Sequence, residues 1–280
     1  MSSLRRLMRS SLLLVLVGAF CAGCGEPPID VAAAATTSAP RATTPMPPAT
    51  PTPAKPLAGI TVSLDPGHNA GNARHATQVN RTIQAGPIRK ACDTTGAATR
   101  DGWPEWRFTQ ELATRVARRL RAQGAVVLFT RTARAPAWGP CITERARLGN
   151  RADVAVSLHA DGNLSSRARG FHVIRPTFVR GYTGDIVRRS GTLATQLRDA
   201  LVGTARLTPS TYIGRRGMIA RGDLGGLVLS NVPKVFVEVG NMRHPTDARL
   251  LRSTRQQELV AAAITQGVVR WHAAEVAATG

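Results

Sequence analysis

Five short apolar runs rich in β-branched residues punctuate the chain: Ile60 to Leu64, Ala125 to Thr130, Val154 to Leu158, Phe171 to Ile174 and Val235 to Val239. Runs of this length and composition predict largely buried strands. Between them the apolar spacing becomes helical. From Glu105 to Gln123 the residues Phe108, Leu112, Val116 and Leu120 share one helical face, and Gly124 stops the pattern. Helical spacing also covers Thr143 to Arg151 and Ile186 to Val202. The C-terminal segment opens on Ser253 and Gln256, which have capping-box spacing, and then sets Val260, Ile264, Val268 and Trp271 on one face. Strands alternating with helices predict an α/β fold: a single domain whose twisted, mostly parallel sheet is flanked by helices on both faces. In such sheets ligands collect at the carboxyl ends of the strands.

Ahead of Leu57 both periodicities vanish. Residues 25–56 are dominated by Ala, Thr, Pro and Ser, as in PMPPATPTPAKP, and hold almost no large apolar side chains. A stretch that cannot bury apolar surface is expected to be an extended, partly polyproline-like linker, with the folded domain spanning residues 57–280. Before the linker, Arg5, Arg6 and Arg9 precede the apolar run Leu12 to Phe20, too short to span a membrane and suited to the core of an export signal over residues 1–24. Cys21-Ala22-Gly23-Cys24 resembles the lipobox at which bacterial lipoproteins are cleaved and acylated, with Cys21 where Leu is usual. Two outcomes stay open: a lipid anchor at Cys24, which would tether the domain to a membrane surface, or ordinary cleavage nearby.

Export changes how the charge is read. The 280 residues carry 37 Lys and Arg against 17 Asp and Glu. In the cytoplasm that excess would favour nucleic acid; outside it, the expectation is no nucleic acid and an anionic surface or polymer instead. The cysteines are affected too. Cys92 and Cys141 are an even pair in an oxidising compartment, where a disulfide is the natural state and two free thiols are the alternative. Closing a loop of about fifty residues would stabilise the fold by roughly 4 kcal/mol in the chain-entropy account. Neither cysteine lies in a CxxC pair or beside a His, so a metal-ligating or nucleophilic thiol is not indicated.

Three of the expected strands end in polar residues. GITVSLDPGH closes on Asp65-Pro66-Gly67-His68, DVAVSLHADG reaches His159, and KVFVEVGN runs into Glu238. If these strands are parallel, the three ends meet at one sheet edge. Glu105, after Trp103-Pro104 at the start of the first long helix, is a fourth candidate. Two His and one Glu make the ligand set of an open zinc site, whose fourth position takes water and brings its pKa toward about 7. A further carboxylate, for which Glu238 is suited, would accept the water's proton and pass it to a leaving nitrogen. Each residue alone has a plain structural explanation: hydrogen-bonded strand-end histidines, an Asp-Pro-Gly turn, a helix-start Glu105 favoured by the macrodipole, a salt-bridged Glu238. His75, His172, His244 and His272 fit no such pattern and are expected to be structural or exposed.

In combination the segments VSLDPGHNAG, EWRFTQELATRVARRLRAQGAVVLFTR, AVSLHADG and VPKVFVEVGN, in this order and spacing, resemble the zinc-dependent N-acetylmuramoyl-L-alanine amidases of the amidase-3 family. The similarity runs from Gly59 to the C-terminal helix. It implies one zinc ion (Zn2+) held by His68, Glu105 and His159, with Glu238 as the catalytic carboxylate. The implied reaction is hydrolysis of the amide between N-acetylmuramic acid and L-alanine in peptidoglycan or muropeptides. Residues 57–280 would then be the catalytic domain, acting in the periplasm or cell envelope. Two rivals stay open: a binding lipoprotein that kept the fold without the reaction, although no ligand or base is missing, and a zinc carboxypeptidase acting on the same peptides. The chain departs from the family in two places. Members often carry Phe after the Gly that follows the catalytic Glu, whereas Gly240 is followed by Asn241-Met242-Arg243, and the segment between His68 and Glu105 is long and distinctive. Nothing in the composition or spacing indicates an oligomeric state.

Overall fold

The computed structural model describes residues 54–134 and 136–279. The expected export signal, Cys24 and most of the linker lie outside the described residues. Leu57 is fully buried and its amide donates to the Gln123 carbonyl, so packing begins where the apolar periodicity begins.

From β1 (Thr61–Pro66) the chain passes through a 3-10 turn (Asn72–Arg74) and α1 (Ala76–Val79) to a hairpin of β2 (Thr82–Ala85) and β3 (Ile88–Ala91). Then come α2 (Glu105–Ala122), β4 (Val126–Phe129), α3 (Ile142–Gly149) and β5 (Val154–Asp161). The second half holds β6 (His172–Pro176), α4 (Val187–Gly203), β7 (Met218–Arg221), α5 (Gly225–Val228) and β8 (Lys234–Asn241). It closes with α6 (Pro245–Arg252) and α7 (Thr254–Thr279). The hairpin, β7 and the short helices α1 and α5 are too short to carry an apolar periodicity of their own.

The main sheet has the order β4-β1-β5-β8-β6-β7. β4, β1, β5 and β8 are parallel, whereas β6 runs antiparallel to β8 and β7 parallel to β6. The expectation of a mostly parallel sheet therefore holds with one reversal. Its cause is the connection: β5 ends at the carboxyl edge, no helix intervenes before β6, and a strand that starts at the edge where the last one stopped must run back.

The two sheet faces differ. Val62, Leu64, Val154, Val156, Leu158, Val235 and Val237 are buried in one apolar core with the inner faces of α2, α4 and α7. Phe108, Leu112, Val116 and Leu120 of α2 and Val260, Ile264, Val268 and Trp271 of α7 are all buried there, as their spacing required. Each such side chain contributes about 1.5–3 kcal/mol of burial. On the opposite face the same strands carry Asp65, Ser157, His159, Lys234, Phe236 and Glu238, since alternate residues point to opposite sides. Among the described residues only α3 and α5 cover that face, so helices flank both sides unequally and a cleft stays open. Half of the capping box forms: Ser253 Oγ accepts from the Gln256 amide, but the Gln256 side chain turns away to donate to the Ala205 carbonyl.

Candidate metal centre and catalytic cleft

β1, β5 and β8 are neighbours, so their carboxyl ends form one stretch of sheet edge. Register places His159 beside Glu238, and His172 of β6 beside Glu238 on its other side. His68 follows the end of β1 in a left-handed backbone conformation, φ 60°, which turns its ring toward that row. Gly67 lets the turn pass this close, because a Cβ there would lie 2.2 Å from the His159 ring. Glu105 arrives from the other side as the first residue of α2, where the helix dipole favours a carboxylate.

The three residues converge: their nearest potential donor atoms all lie within 4.8 Å of one another. Glu105 Oε2 is 3.1 Å from His68 Nε2, and Glu105 Oε1 is 2.9 Å from His159 Nδ1. Glu105 also accepts from the amides of Ala97 (2.7 Å) and Ala160 (3.1 Å), which fix both of its oxygens. Gly96 closes over the group, and a Cβ there would be 2.6 Å from the His68 ring.

The donor set tests well against a metal ion. His68 Nδ1 lies 3.0 Å from the Thr94 carbonyl, which only accepts, so that nitrogen carries the proton and Nε2 presents a bare lone pair to Glu105. Two lone-pair atoms facing each other at 3.1 Å need a cation between them. Ligands about 2.0–2.2 Å from one zinc ion stand at comparable mutual distances. Without such an ion a proton takes the place. Burial opposes charge on His68, but the Glu105 carboxylate outweighs it and raises the imidazole pKa. Burial likewise works against the Glu105 carboxylate, yet the two histidines hold its pKa well below the usual range.

Glu238 differs in kind. Its Oε2 is shielded from solvent and has no hydrogen-bond partner. Burial, then repulsion from Glu105 and Asp161, pushes its carboxyl well above the ordinary value. It lines a cleft of about 650 Å³ together with His68, Glu105, His159, Phe236 and Arg221, among others. That volume fits a small ligand or the reacting part of a larger one.

Beneath this row lies a second charged cluster, fully paired. Asp65 accepts from Thr130, Ser157, Lys234 and Arg145 at 2.6–3.1 Å. Arg145 also donates to the carbonyls of Pro66 and His68 and to Asp93, so one guanidinium ties the β1 turn to the Asp93-Thr94 segment that orients His68. The same segment is anchored by the Cys92–Cys141 disulfide, which joins it to the start of α3.

The family of N-acetylmuramoyl-L-alanine amidases, amidase-3, matches residues 62–270. The chain belongs to that family. An N-acetylmuramoyl-L-alanine amidase of Mycobacterium tuberculosis is 37% identical over 216 residues, covering 76% of this chain and 86% of that one. Crystal structures of the amidase Ami1 are similar as well. The Mycobacterium smegmatis enzyme superposes with a TM-score of 0.72 at 36% identity, over 78% of this chain and 99% of that one. The Mycobacterium abscessus apo form gives 0.70 at 36%, over 77% and 99%.

In this family member the four expected site residues stand together, and the fold adds others that the sequence pattern passed over. His172 is buried with Nδ1 unpartnered, and its ring stands edge-on to Tyr212, whose hydroxyl donates to Asp161 Oδ2 at 2.7 Å. Strand alternation in FHVIRP would have put His172 on the face of Glu238, had the antiparallel pairing been foreseeable. His75 and His244 serve locally: the first contacts the Gly71 carbonyl and the second caps α6. Asn241, where Phe is frequent in the family, donates to the carbonyls of Asn163 and Ala168 and pins the loop after β5.

Proposed function

We propose that this chain hydrolyses the amide between N-acetylmuramic acid and L-alanine in peptidoglycan as a zinc enzyme. His68, Glu105 and His159 are the ligands and Glu238 is the proton carrier. The observation that carries the reading is the placement of an unpartnered, charge-averse Glu238 directly beside a converged His-Glu-His set. A zinc ion bound there would supply Lewis acidity to the scissile carbonyl and lower the pKa of a water.

The protein groups account for the rest. Thr94 and Asp93 hold the His68 tautomer, and the Ala97 and Ala160 amides hold Glu105, so the site is preorganised. Phe236 stacks on His159 with ring centroids 5.1 Å apart and restricts its rotation. The lactyl carbonyl of the substrate enters from the cleft, with the L-alanine nitrogen on the Glu238 side. Glu238 takes a proton from the attacking water. It then delivers that proton to the departing nitrogen, so the peptide leaves as a free amine.

The wider setting belongs to the same proposal. Residues 57–280 act as the catalytic domain, exported by residues 1–24 and joined through residues 25–56, and they work in the periplasm or cell envelope. The disulfide is in keeping with an oxidising compartment. Digestion of purified sacculi tests the reaction: new L-alanine amino termini are expected. New carboxyl ends without them would indicate a carboxypeptidase, and neither product would indicate a binding protein.

A further inference from the structure

The cleft extends well beyond the reacting centre. From Glu238 its floor continues over Phe236 and Ile174, which pair across β8 and β6, and reaches Arg221 at the end of β7. Three cationic residues line it among the described residues: Lys90, Arg145 and Arg221. Arg145 is buried and spent on Asp65 and Asp93. Lys90 and Arg221 remain, both at the end away from His68, and both partly exposed, at 38% and 34% of the side chain.

These two cations share one carboxylate. Arg221 Nε and Nη2 donate to Asp223 at 2.8 and 2.6 Å, and Lys90 Nζ stands 3.8 Å from the same group. The trio keeps one net positive charge, and Arg221 Nη1 is committed to no hydrogen bond among the described residues. Lys90 belongs to the β2–β3 hairpin and Arg221 to the sheet, so Asp223 holds two separately borne cations side by side at the cleft wall.

The distance suits a short peptide. Glu238 pairs with His172 and Arg221 with Pro176, an offset of four residues along β6. That is roughly 13 Å at about 3.3 Å per residue. The long Arg221 side chain spans part of it, and an extended peptide covers the remainder in about two residues, at up to 3.6 Å each.

We propose that Arg221 and Lys90, set by Asp223, form a subsite for a free carboxylate on the stem peptide one or two residues beyond the scissile amide. The enzyme therefore prefers peptides carrying that group as an acid over peptides carrying it as a primary amide. The inference rests on the amidase reading above. A guanidinium recognises a carboxylate through paired N–H donors, whereas an amide offers a weaker acceptor and no charge.

Two muramyl dipeptides that differ only in an acid or an amide at the second residue test this with zinc-loaded, full-length protein. Wild type is expected to favour the acid by about threefold to fivefold, mostly through KM, the upper range for a partly exposed ion pair. Arg221→Gln should bring the ratio close to one, Arg221→Lys should restore part of it, and added salt should shrink it. Asp223→Asn should act in the opposite direction and enlarge the preference, because it removes the competing carboxylate. A structural role would move both substrates alike. If Arg221→Gln fails to fold, as judged by circular dichroism, Lys90→Gln and Asp223→Asn must still shift the ratio in opposite directions. Equal use of both substrates by an active wild type overturns the subsite and leaves the amidase reading standing. A preference that survives Arg221→Gln or Lys90→Gln unchanged, or that moves the same way in Asp223→Asn, also overturns the subsite. Cleavage of neither dipeptide, nor of sacculi, overturns the reading beneath it.

Discussion

Two clusters of buried charge lie on one face of the sheet, and they are built on opposite terms. In the lower cluster Asp65 meets Lys234 and Arg145, and hydroxyls from Thr130 and Ser157 fill its remaining acceptor sites. In the upper one His68, His159 and Glu105 crowd together with more lone pairs than protons, and Glu238 Oε2 has no partner. The lower is complete as it stands. The upper becomes complete only with a cation among the first three residues, and it leaves Glu238 Oε2 without a fixed partner and free to exchange a proton, which is the condition of a reacting site.

Removing a ligand is expected to have the largest effect. His68→Ala or His159→Ala is expected to abolish stoichiometric zinc and with it all turnover, as measured by metal analysis of purified protein. Full occupancy in both variants would refute the ligand assignment. Chelation of the wild type should have the same effect on activity, reversible by added zinc.

Glu238→Gln comes next. It keeps the ligands and removes only the proton carrier, so zinc content and fold should persist while turnover falls about 10² to 10⁴-fold. Loss of zinc would instead make Glu238 a ligand. Wild-type release of free L-alanine peptides by the zinc-loaded variant would end the mechanism proposed above.

The lower cluster should respond in stability rather than in chemistry. Asp65→Asn leaves Lys234 buried without its carboxylate and Arg145 with Asp93 alone, at a cost of about 3–5 kcal/mol in denaturant unfolding. Burial alone would raise the Asp65 pKa, but Lys234 and Arg145 outweigh it and hold the carboxyl well below 3.8. The stability it supplies is therefore complete above that value and is lost only as pH falls through its depressed folded pKa. A variant as stable as wild type would show that the cluster is not the support it is taken to be.

The smallest effect belongs to His172, between the two regimes. Burial lowers its pKa from 6.5 to about 4, and Arg221 adds to this against Asp161. The folded state thus resists protonation, so stability is expected to fall as pH drops from 6.5 toward 4, by up to roughly 3 kcal/mol at 1.36 kcal/mol per unit. His172→Gln should flatten that part of the pH profile in thermal melts. An unchanged slope would assign the loss to other groups.

Much of this was legible beforehand for a physical reason. Strand runs and the faces of α2 and α7 follow from burial periodicity, which is local, and Phe108 to Leu120 carry it without reference to the rest of the chain. The site residues were legible because His68, His159 and Glu238 each lie at or just past the carboxyl end of an expected strand, and parallel strands bring like ends together. The direction of β6, by contrast, depends on which strand it joins. Beside β8 it runs backward and brings His172 level with Glu238, a pairing between residues 66 positions apart that no local pattern encodes. The same holds for Asp65, which looked like part of a turn and is the hub of an ion cluster, and for Arg221, whose β7 was too short to announce itself. Sequence by itself determined which residues prefer to be buried, where the chain turns and which chemistry its polar strand ends can support. Tertiary structure decided which polar groups find partners and which, like Glu238 Oε2, are left without one, because satisfaction of a buried group is a property of its neighbours and not of its own residue type.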